Sequence, residues 1–402
     1  MLPILPLAIA LLATPSENGA VVKPPDASKI QVACYYFGNY HPGDPRNVAN
    51  KGPKWSEWDL VKAAKPRFEG HQQPHVPLWG YEDESDPKAM AKKIDAAASH
   101  GVDAFIFDWY HYSDGPFLDR PIDRGFLKAK NNRKLKFAFM WANHDWLEIQ
   151  PYHRGEPPKL LYPGKVTPEA FERIGDKLIK DYFKRPNYWK IDGKPYLSFY
   201  DLNNLVGSFG SIEGTRAALD RLRDKAKAAG LPGLHINAVV WENVILPSER
   251  TILEPKKMVE ALGFDSATSY VWIHHVGLPE MKTDYNWVRD RYFEYWTRVE
   301  KGYGVPYYPN VSMGWDPSPR ADQSQEYGNF GYPFMNTIVN NTPANFKKAL
   351  EMTKERLLAD PNGPRILNIN CWNEWTEGSY LEPDTVNRFG YLDAVRDVFK
   401  KK

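Results

Sequence analysis

The sequence is poor in cysteine, nearly balanced in charge and without long apolar runs, and each shortage excludes a class of protein. Two cysteines in 402 residues cannot supply the ligands of a thiolate zinc cluster. A net charge of +2 without an extended basic run argues against a nucleic-acid partner. No segment approaches the roughly 18 consecutive apolar residues that a membrane-spanning helix needs, so we expect no membrane span.

The two cysteines, Cys34 and Cys371, fall in the first and the last apolar segments that read as strands. These segments would be neighbours if the strands close into a barrel, so a disulfide has to be considered. Disulfide geometry is demanding, however, and buried strand cysteines more often act as small apolar residues. We therefore expect two free thiols.

The amino-terminal stretch from Leu2 to Ala13 has the length of a signal-peptide core, although it lacks a positively charged start. Cleavage is expected between Ala13 and Ala20. The sequence thus predicts a signal peptide over residues 1–20, a leader over 21–30 and one catalytic domain over 31–402. The protein is expected to be secreted or periplasmic.

Aromatic residues, by contrast, are abundant. They make up 14% of the chain, with 14 tryptophans and 23 tyrosines. Flat aromatic rings stack on the apolar faces of ligands such as sugars, and they also fill protein cores. Composition alone leaves both uses open.

Short apolar or β-branched runs alternate with helical patterns along the chain. The eight runs cover residues 31–37, 104–110, 136–141, 195–200, 235–241, 264–271, 308–313 and 366–372. This alternation is typical of parallel strands joined by crossover helices. No Gly-rich phosphate loop follows the first run, so a dinucleotide fold is not favoured. The predicted fold is α/β, a single (β/α)8 TIM barrel with long strand-to-helix loops.

One of these loops, from Gly38 to Asp86, is far longer than usual, and long loops in compact domains are often functional. We expect it to cover the substrate. It contains five rings suited to binding, namely Trp55, Trp58, His71, His75 and Trp79.

The stretch after the last run carries Glu374 and Glu377, with Trp372 and Trp375 beside them. Cleavage of a glycosidic bond commonly uses two carboxyl groups, one as proton donor and one as base or nucleophile. An isolated pair of glutamates at this spacing is usually a solvated turn. The neighbouring tryptophans and the position at a strand end favour catalysis here.

Catalytic groups of a TIM barrel lie at the carboxyl ends of its strands. Nearly every predicted strand ends in an aromatic residue next to a hydrogen-bonding one, which suits a polyhydroxylated ring. The expected substrate-binding residues are Tyr36, Trp58, Asp108, Trp109, Tyr110, Trp141, Asn143, His144, Tyr200, Trp241, Glu242, Tyr270, Trp315, Trp372, Asn373 and Trp375.

Histidines also lie near the predicted strand ends, at His111, His144, His274 and His275. No HExxH motif or other known spacing of metal ligands accompanies them. We therefore expect no catalytic metal and no cofactor.

The carboxy-terminal motif resembles that of a known family. The run WNEWTEGSYLEPD over residues 372–384, followed by RFGYL over 388–392, is similar to the signature of WbsX-like proteins. These are relatives of family 99 glycoside hydrolases, the endo-α-mannosidases and endo-α-mannanases. Further matches are residues 35–37, 55–58, 100–110 and 141–143, so the likeness covers roughly residues 31 to 395.

The resemblance implies a (β/α)8 barrel that cleaves α-linked glycosides with retention through a 1,2-anhydro sugar. By motif position, Glu374 is the base that deprotonates the 2-hydroxyl, and Glu377 is the acid and then the base. Family members often have glutamate after the asparagine at strand three, whereas His144 follows Asn143 here. This departure implies a subsite of different charge.

Two other functions remain open from the sequence, a non-catalytic carbohydrate-binding barrel and a component of polysaccharide synthesis or transfer. Retention of both glutamates argues against the first, and the predicted export argues against the second. Within the hydrolase hypothesis, a conventional pair of Glu242 and Glu377 is the alternative mechanism. The expected partner is a carbohydrate substrate, and the sequence leaves the oligomeric state open.

Overall fold

Eight parallel strands pair edge to edge around a closed barrel in the computed structural model, which describes residues 29–400. The strands are β1 Gln31–Tyr36, β2 Ala104–Tyr112, β3 Lys136–Trp141, β4 Lys194–Phe199, β5 His235–Val239, β6 Ser266–Thr268, β7 in two parts at Tyr307–Tyr308 and Asn310–Ser312, and β8 Ile366–Asn370. Their sequential order around the barrel confirms the predicted (β/α)8 fold.

Strand β7 closes the barrel through a break at Pro309. Its first part pairs with β6, where Thr268 is opposite Tyr308, and its second part pairs with β8, where Val311 is opposite Ile369. Proline has no backbone N–H to donate to a neighbouring strand. The carbonyl of Pro309 still accepts a hydrogen bond of 3.0 Å from the backbone N of Asn368.

Ten α-helices occur within residues 29–400. They are α1 Pro45–Lys51, α2 Trp58–Ala63, α3 Pro87–Ser99, α4 Pro168–Lys177, α5 Leu202–Phe209, α6 Ile212–Ala228, α7 Pro255–Leu262, α8 Tyr285–Val299, α9 Pro343–Ala359 and α10 Gly390–Phe399. Thr167 and Thr342 cap α4 and α9 with their side chains, and a proline occupies the first turn of each. Threonine is a favoured capping residue and proline is favoured in the first turn, so both helices begin at residue types suited to a helix start.

Shorter elements shape the loops. The additional strands are Gly115–Phe117, Trp146–Leu147, Leu160–Tyr162, Lys190–Ile191, Lys282–Asp284, Thr337–Val339, Asn373–Glu374 and Ser379–Tyr380. Single helical turns of the 3-10 or π type are Pro121–Gly125, Phe126–Lys128, Asn132–Lys134, Leu178–Phe183, Trp272–His274, Ser318–Arg320 and Trp375–Glu377. Most of the long loops lie at the carboxyl ends of the strands.

The largest difference from the predicted strands is at β6. The sequence predicts a strand over residues 264–271, whereas the structure has only Ser266–Thr268. After β6 the chain enters the 3-10 turn Trp272–His274, and the backbone N of Trp272 donates to the side chain of Ser312 on β7. The end of the apolar run is therefore used to place Tyr270 above the barrel.

The predicted signal peptide over residues 1–20 lies outside the residues that the structure describes. Within residues 29–400, no helix combines the length and apolar character that crossing a bilayer requires. Cys34 and Cys371 are both free and buried, and the Cys371 thiol donates to the backbone carbonyl of Tyr35 at 3.0 Å.

Candidate active site

The loop after β8 places both glutamates of the carboxy-terminal motif. Asn373–Glu374 pairs in antiparallel fashion with Ser379–Tyr380, and the turn Trp375–Glu377 fills the space between them. Glu374 and Glu377 therefore lie on one turn, and both side chains line a cavity at the carboxyl end of the barrel.

Gly378 permits this tight turn. Its φ of 63° is left-handed, and a Cβ built on it would lie 2.8 Å from the Cβ of Asp316. Only glycine enters this conformation without strain and also leaves room for the neighbouring loop. The backbone N of Asp316 donates to the carbonyl of Glu377 at 2.6 Å, so the loops after β7 and β8 are joined here.

The side chain of Asp316 ties the long loop after β1 to the same place. Its Oδ2 accepts from Nε2 of His71 at 2.7 Å and from Nε2 of Gln73 at 2.6 Å. Burial alone would raise the pKa of Asp316, but the bonds and charge of His71 lower it to about 2. An ionised carboxylate thus anchors this wall of the site.

A buried charged network supports the loop after β8 from behind. Lys93 lies 2.7 Å from an oxygen of Glu84 and 2.6 Å from an oxygen of Glu382. Nδ2 of Asn373 donates to Glu84 at 2.9 Å, and Nε1 of Trp375 donates to Glu382 at 3.0 Å. Asn373 and Trp375 therefore hold the loop in place. Glu374 and Glu377 face the cavity.

Arg320 bridges the two glutamates. Its Nη2 donates to Oε1 of Glu374 at 2.8 Å, and its Nη1 donates to Oε1 of Glu377. Its Nε donates to Oε1 of Glu57 at 2.8 Å, and its guanidinium lies 5.3 Å from the ring centre of Phe37. Because the guanidinium is planar and rigid, it sets the relative position of all three carboxylates.

Two tyrosines complete the hydrogen bonding of the pair. The Tyr332 hydroxyl donates to Oε1 of Glu377 at 2.9 Å. The Tyr270 hydroxyl lies 2.8 Å from Oδ2 of Asp108 and 3.4 Å from Oε2 of Glu374. The two glutamates therefore have different neutral partners, although they share the same cation.

Burial controls the protonation of these carboxyl groups. Burial, with the charge of Glu377, raises the pKa of Glu374 well above its ordinary value, although Arg320 opposes this. Burial also raises the pKa of Glu377, again against Arg320. Interacting carboxyls of this kind titrate as a pair, so the site retains a proton into a higher pH range than two exposed glutamates would.

Asp108 is a third carboxyl group in the cavity. Burial raises its pKa well above the ordinary value, against the hydrogen bond from Tyr270. Its Oδ1 has no hydrogen-bond partner among residues 29–400. A buried carboxyl in this state is suited to exchange a hydrogen bond with a ligand hydroxyl.

The cavity contains about 690 Å³ of space, a volume that includes its open mouth. Six of the predicted substrate-binding residues line it together with the two glutamates. They are Asp108, Tyr110, His144, Tyr200, Tyr270 and Trp315.

The other predicted binding residues lie outside this cavity. They are Tyr36, Trp58, Trp109, Trp141, Asn143, Trp241, Glu242, Trp372, Asn373 and Trp375. Glu242 lies on the surface, where both its oxygens accept from Nη2 of Arg298 at 2.6 and 2.9 Å. The structure thus separates Glu242 from Glu377, its partner in the alternative mechanism.

Most of these residues have packing or positioning roles. Trp109 stacks on Phe139, and Trp372 packs beside Phe105. Asn143 exchanges hydrogen bonds of 2.8 Å with the backbone of Asp201 and so fixes the end of β3 to that of β4.

Trp58, Trp141 and Trp241 donate to the backbone carbonyls of Glu82, His111 and Arg250, at 2.8, 3.1 and 3.0 Å. Trp58 and Trp241 therefore anchor loops, and Trp141 anchors the end of β2.

The long loop after β1 also behaves differently from the expectation. Glu57 reaches Arg320, and Trp58 packs 5.9 Å from Trp375, ring centre to ring centre. Residues 68–75 contribute to a second, more polar cavity beside Asp316. In the described part of the chain the loop after β1 supports the loop after β8 and does not line the cavity that contains Glu374 and Glu377.

Four functional residues were missed by the sequence analysis, namely Glu57, Glu249, Arg320 and Tyr332. Glu249 accepts from the Tyr200 hydroxyl at 2.5 Å and lies 3.3 Å from Nε2 of His274. All four lie outside the α-helices and β-strands, where no periodic pattern indicates the direction of a side chain. A lone buried arginine would have been the only signal, and sequence does not reveal burial in a loop.

Residues 29–400 contain no group of three His, Cys, Asp or Glu side chains placed to hold a metal ion. Burial lowers the pKa of His144, and it lowers that of His111 to about 4. Both histidines are therefore neutral at physiological pH and act as hydrogen-bonding groups.

Comparisons with known proteins agree with the fold and the motif. The model of the family described as "Glycosyltransferase WbsX" matches residues 32–395. Two proteins described as "Uncharacterized protein WxcX", from two strains of Xanthomonas campestris pv. campestris, are each 26% identical to this chain. Each alignment covers 94% of this chain and 50% of the relative, so the chain spans about half the length of these curated relatives.

Solved structures extend the likeness. The GH99 endo-alpha-mannosidase from Bacteroides thetaiotaomicron is 14% identical with a TM-score of 0.53, covering 91% of this chain and 96% of that one. A structure described as "Glycoside hydrolase-like protein" is 13% identical with a TM-score of 0.60, covering 97% and 98%. At such identities the likeness establishes the barrel fold.

Proposed function

This chain belongs to the WbsX family, and from that premise we propose that it is a retaining glycoside hydrolase acting on α-linked sugars. The observation that carries the proposal is the pair of buried carboxyls, Glu374 and Glu377, held on the guanidinium of Arg320 in an open cavity. Paired carboxyls at a scissile bond are the usual apparatus of glycoside hydrolysis.

In the proposed reaction the sugar supplies its own nucleophile. Glu374 takes the proton of the 2-hydroxyl, whose oxygen attacks the anomeric carbon, while Glu377 donates a proton to the departing glycosidic oxygen. Water then opens the 1,2-anhydro ring at the anomeric carbon. Glu377 takes the proton of that water, and Glu374 returns its proton to the 2-oxygen. Two displacements at one carbon give retention.

The surroundings of the pair suit these roles. Arg320 and Tyr332 orient Glu377, and Tyr270 links Glu374 to Asp108. Burial raises the pKa of both glutamates, which keeps an acid available at neutral pH. The roles further require that the retained proton reside on Glu377 once the 2-hydroxyl contacts Glu374.

Glycosyl transfer is a second candidate because the family description names a glycosyltransferase. The same anhydro sugar would then be opened by a sugar hydroxyl in place of water. Adding an excess of free sugar acceptor and analysing the products by mass spectrometry distinguishes the two. Longer oligosaccharides support transfer, and products gaining only water support hydrolysis.

We also propose that the protein is exported, on the apolar segment Leu2–Ala13 alone. Expression in a bacterial host, fractionation of the periplasm and amino-terminal sequencing test this. A mature protein that begins after residues 13–20 is expected, and an intact Met1 in the cytosol would contradict export.

The catalytic proposal is tested by product stereochemistry on any polysaccharide that a panel screen shows to be cleaved. Proton NMR of the first product should show retained anomeric configuration, and a 2-deoxy or 2-fluoro analogue should be hardly processed. A glycosyl adduct on any carboxylate in the intact-mass spectrum would contradict the anhydro route. An inverted product would contradict both retaining routes.

A further inference from the structure

The two sides of the catalytic cavity differ in chemistry. One side, formed by the loops after β7 and β8, carries Arg320, Glu374 and Glu377. The other side is formed by the loops after β3 and β5. Its aliphatic members are Leu147, Ile149, Ile245 and Leu246.

The topology places these sides opposite each other. Around the closed barrel, β3, β4 and β5 are consecutive, and β7, β8 and β1 are consecutive on the far side. A sugar ring with its anomeric carbon at the glutamates therefore directs its far edge toward the aliphatic side. In a hexose that edge carries the C4 and C6 substituents.

Polar residues of the same two loops also line this side, and two of them use one side-chain atom in hydrogen bonds within the protein. Nδ1 of His144 donates to the carbonyl of Asp145 at 3.0 Å, and Oδ1 of Asp145 accepts from the backbone N of Gly164 at 2.7 Å. Gln150 and Ser248 also line this side of the cavity. A hydroxymethyl group placed against the aliphatic side chains would lose its hydrogen bonds to water without full replacement.

We propose that the cavity selects a sugar bearing a methyl group at its far edge, a 6-deoxyhexose or a hexose acetylated at C6. This inference rests on the proposed function, which fixes the orientation of the ring. The proposed function also excludes 2-acetamido sugars as the source of the methyl group, because the proposed reaction needs a free 2-hydroxyl. A methyl group of the substrate that packs against Leu246 and Ile245 is stabilised by its transfer from water to an apolar surface. A hydroxyl group in the same place does not gain this stabilisation.

The expected discrimination follows from the general limits of apolar pockets. Such a pocket distinguishes substrates that differ by one hydroxyl or methylene by roughly 10- to 100-fold in kcat/KM. We expect that preference for an α-linked 6-deoxyhexoside over the hexoside of the same ring configuration.

The test uses matched pairs of aryl α-glycosides whose two members belong to the same enantiomeric series, rhamnoside with mannoside and fucoside with galactoside, each pair in the D and the L form, plus the 6-O-acetyl form of each hexoside. A preference for the deoxy member alone assigns the methyl to C6 of a deoxy sugar, and a preference for the ester alone assigns it to an acetyl group. Equal kcat/KM for the members of every pair overturns the inference while leaving the hydrolase proposal intact.

A binding measurement separates the two proposals further. Saturation-transfer NMR on the Glu377→Gln variant should show the methyl protons receiving the strongest saturation. If binding depends on the methyl group but the native enzyme cleaves no member of any pair, the hydrolase proposal is contradicted and the inference about the methyl group stands. Binding that ignores the methyl group, or no binding of any pair, overturns the inference.

Two variants locate the effect. Leu246→Asn keeps the branched shape of the side chain but replaces its methyl groups with an amide, and it should reduce the preference within a pair about 10-fold or more, toward unity. Val244→Asn is the matched control, because Val244 is 43% exposed on the same loop and outside the cavity lining. An unchanged preference in Leu246→Asn contradicts the assignment of this wall.

Discussion

Glu57 accepts a hydrogen bond of 2.8 Å from Nε of Arg320, although the two residues are 263 positions apart in the chain. The same oxygen accepts from the Thr376 hydroxyl at 2.9 Å, within the catalytic turn. Glu57 therefore orients the guanidinium that holds Glu374 and Glu377. It acts through Arg320 and lies outside the cavity lining.

Replacing Glu57 with glutamine should shift the pH profile. The charge of Glu57 adds to burial in raising the pKa of Glu377, so its removal lowers that pKa. Since Glu377 must be protonated to act as acid, the fall in kcat on the alkaline side should begin at lower pH. Steady-state rates between pH 4 and 9 measure this.

The control for this variant is Asp59→Asn, which removes an exposed negative charge two positions away. Its pH profile should match that of the native enzyme. If Glu57→Gln lowers kcat uniformly without moving the alkaline limb, Glu57 has only a structural role.

The two glutamates should be individually necessary. Glu374→Gln and Glu377→Gln should each lower kcat about 100- to 10,000-fold, because each removes a proton transfer. Glu242→Gln is the control, since Glu242 lies at the surface against Arg298 and should keep full activity. A strong loss in Glu242→Gln together with retained activity in Glu374→Gln would favour the alternative pair of Glu242 and Glu377.

Sequence patterns predicted the barrel well because its strands are buried on both faces. Such strands read as continuous apolar runs, and β1 and β3 lie within one residue of their predicted bounds. The terminal motif identified Glu374 and Glu377 as cavity residues. Arg320 was not predicted, because its place depends on loops that meet only in the folded chain.

The aromatic strand ends were predicted as a group, but the structure divides them. Side chains along a strand alternate between its two faces. On β2, Asp108 and Tyr110 consequently line the cavity, whereas Trp109 between them packs against Phe139. Alternation could have been applied to the sequence once one inward residue was known.

Trp375 was also expected to bind substrate, but its ring packs inside the protein, and this leads to a stability prediction. It is fully buried and stacks on Tyr380 with ring centres 3.8 Å apart. Trp375→Ala should lower the free energy of unfolding by about 3 to 5 kcal/mol, as large core deletions do. Urea denaturation measures the change.

Trp287→Ala is the matched control for this deletion, since Trp287 is 41% exposed on α8. It should cost much less stability. If Trp375→Ala instead leaves stability intact and weakens sugar binding to an inactive variant, the ring contacts substrate as the sequence analysis expected.

Asp108→Asn should stabilise the protein increasingly as pH rises. Burial raises the folded-state pKa of Asp108 above 3.8, its ordinary value. A carboxyl whose pKa is higher in the folded than in the unfolded state adds to the free energy of unfolding at pH values below its unfolded-state pKa. That contribution is lost as the pH rises through the folded-state pKa. Each pKa unit of this shift corresponds to about 1.4 kcal/mol.

Asparagine removes the titration while its carbonyl oxygen still accepts from the Tyr270 hydroxyl. Its amide then occupies the place of Oδ1, which has no partner in the described part of the chain. The difference in unfolding free energy between variant and native protein should therefore be small at pH 4 and exceed about 1 kcal/mol at pH 8. Urea titrations at both pH values give this difference, and one that does not change with pH would mean that Asp108 is ionised in the folded protein.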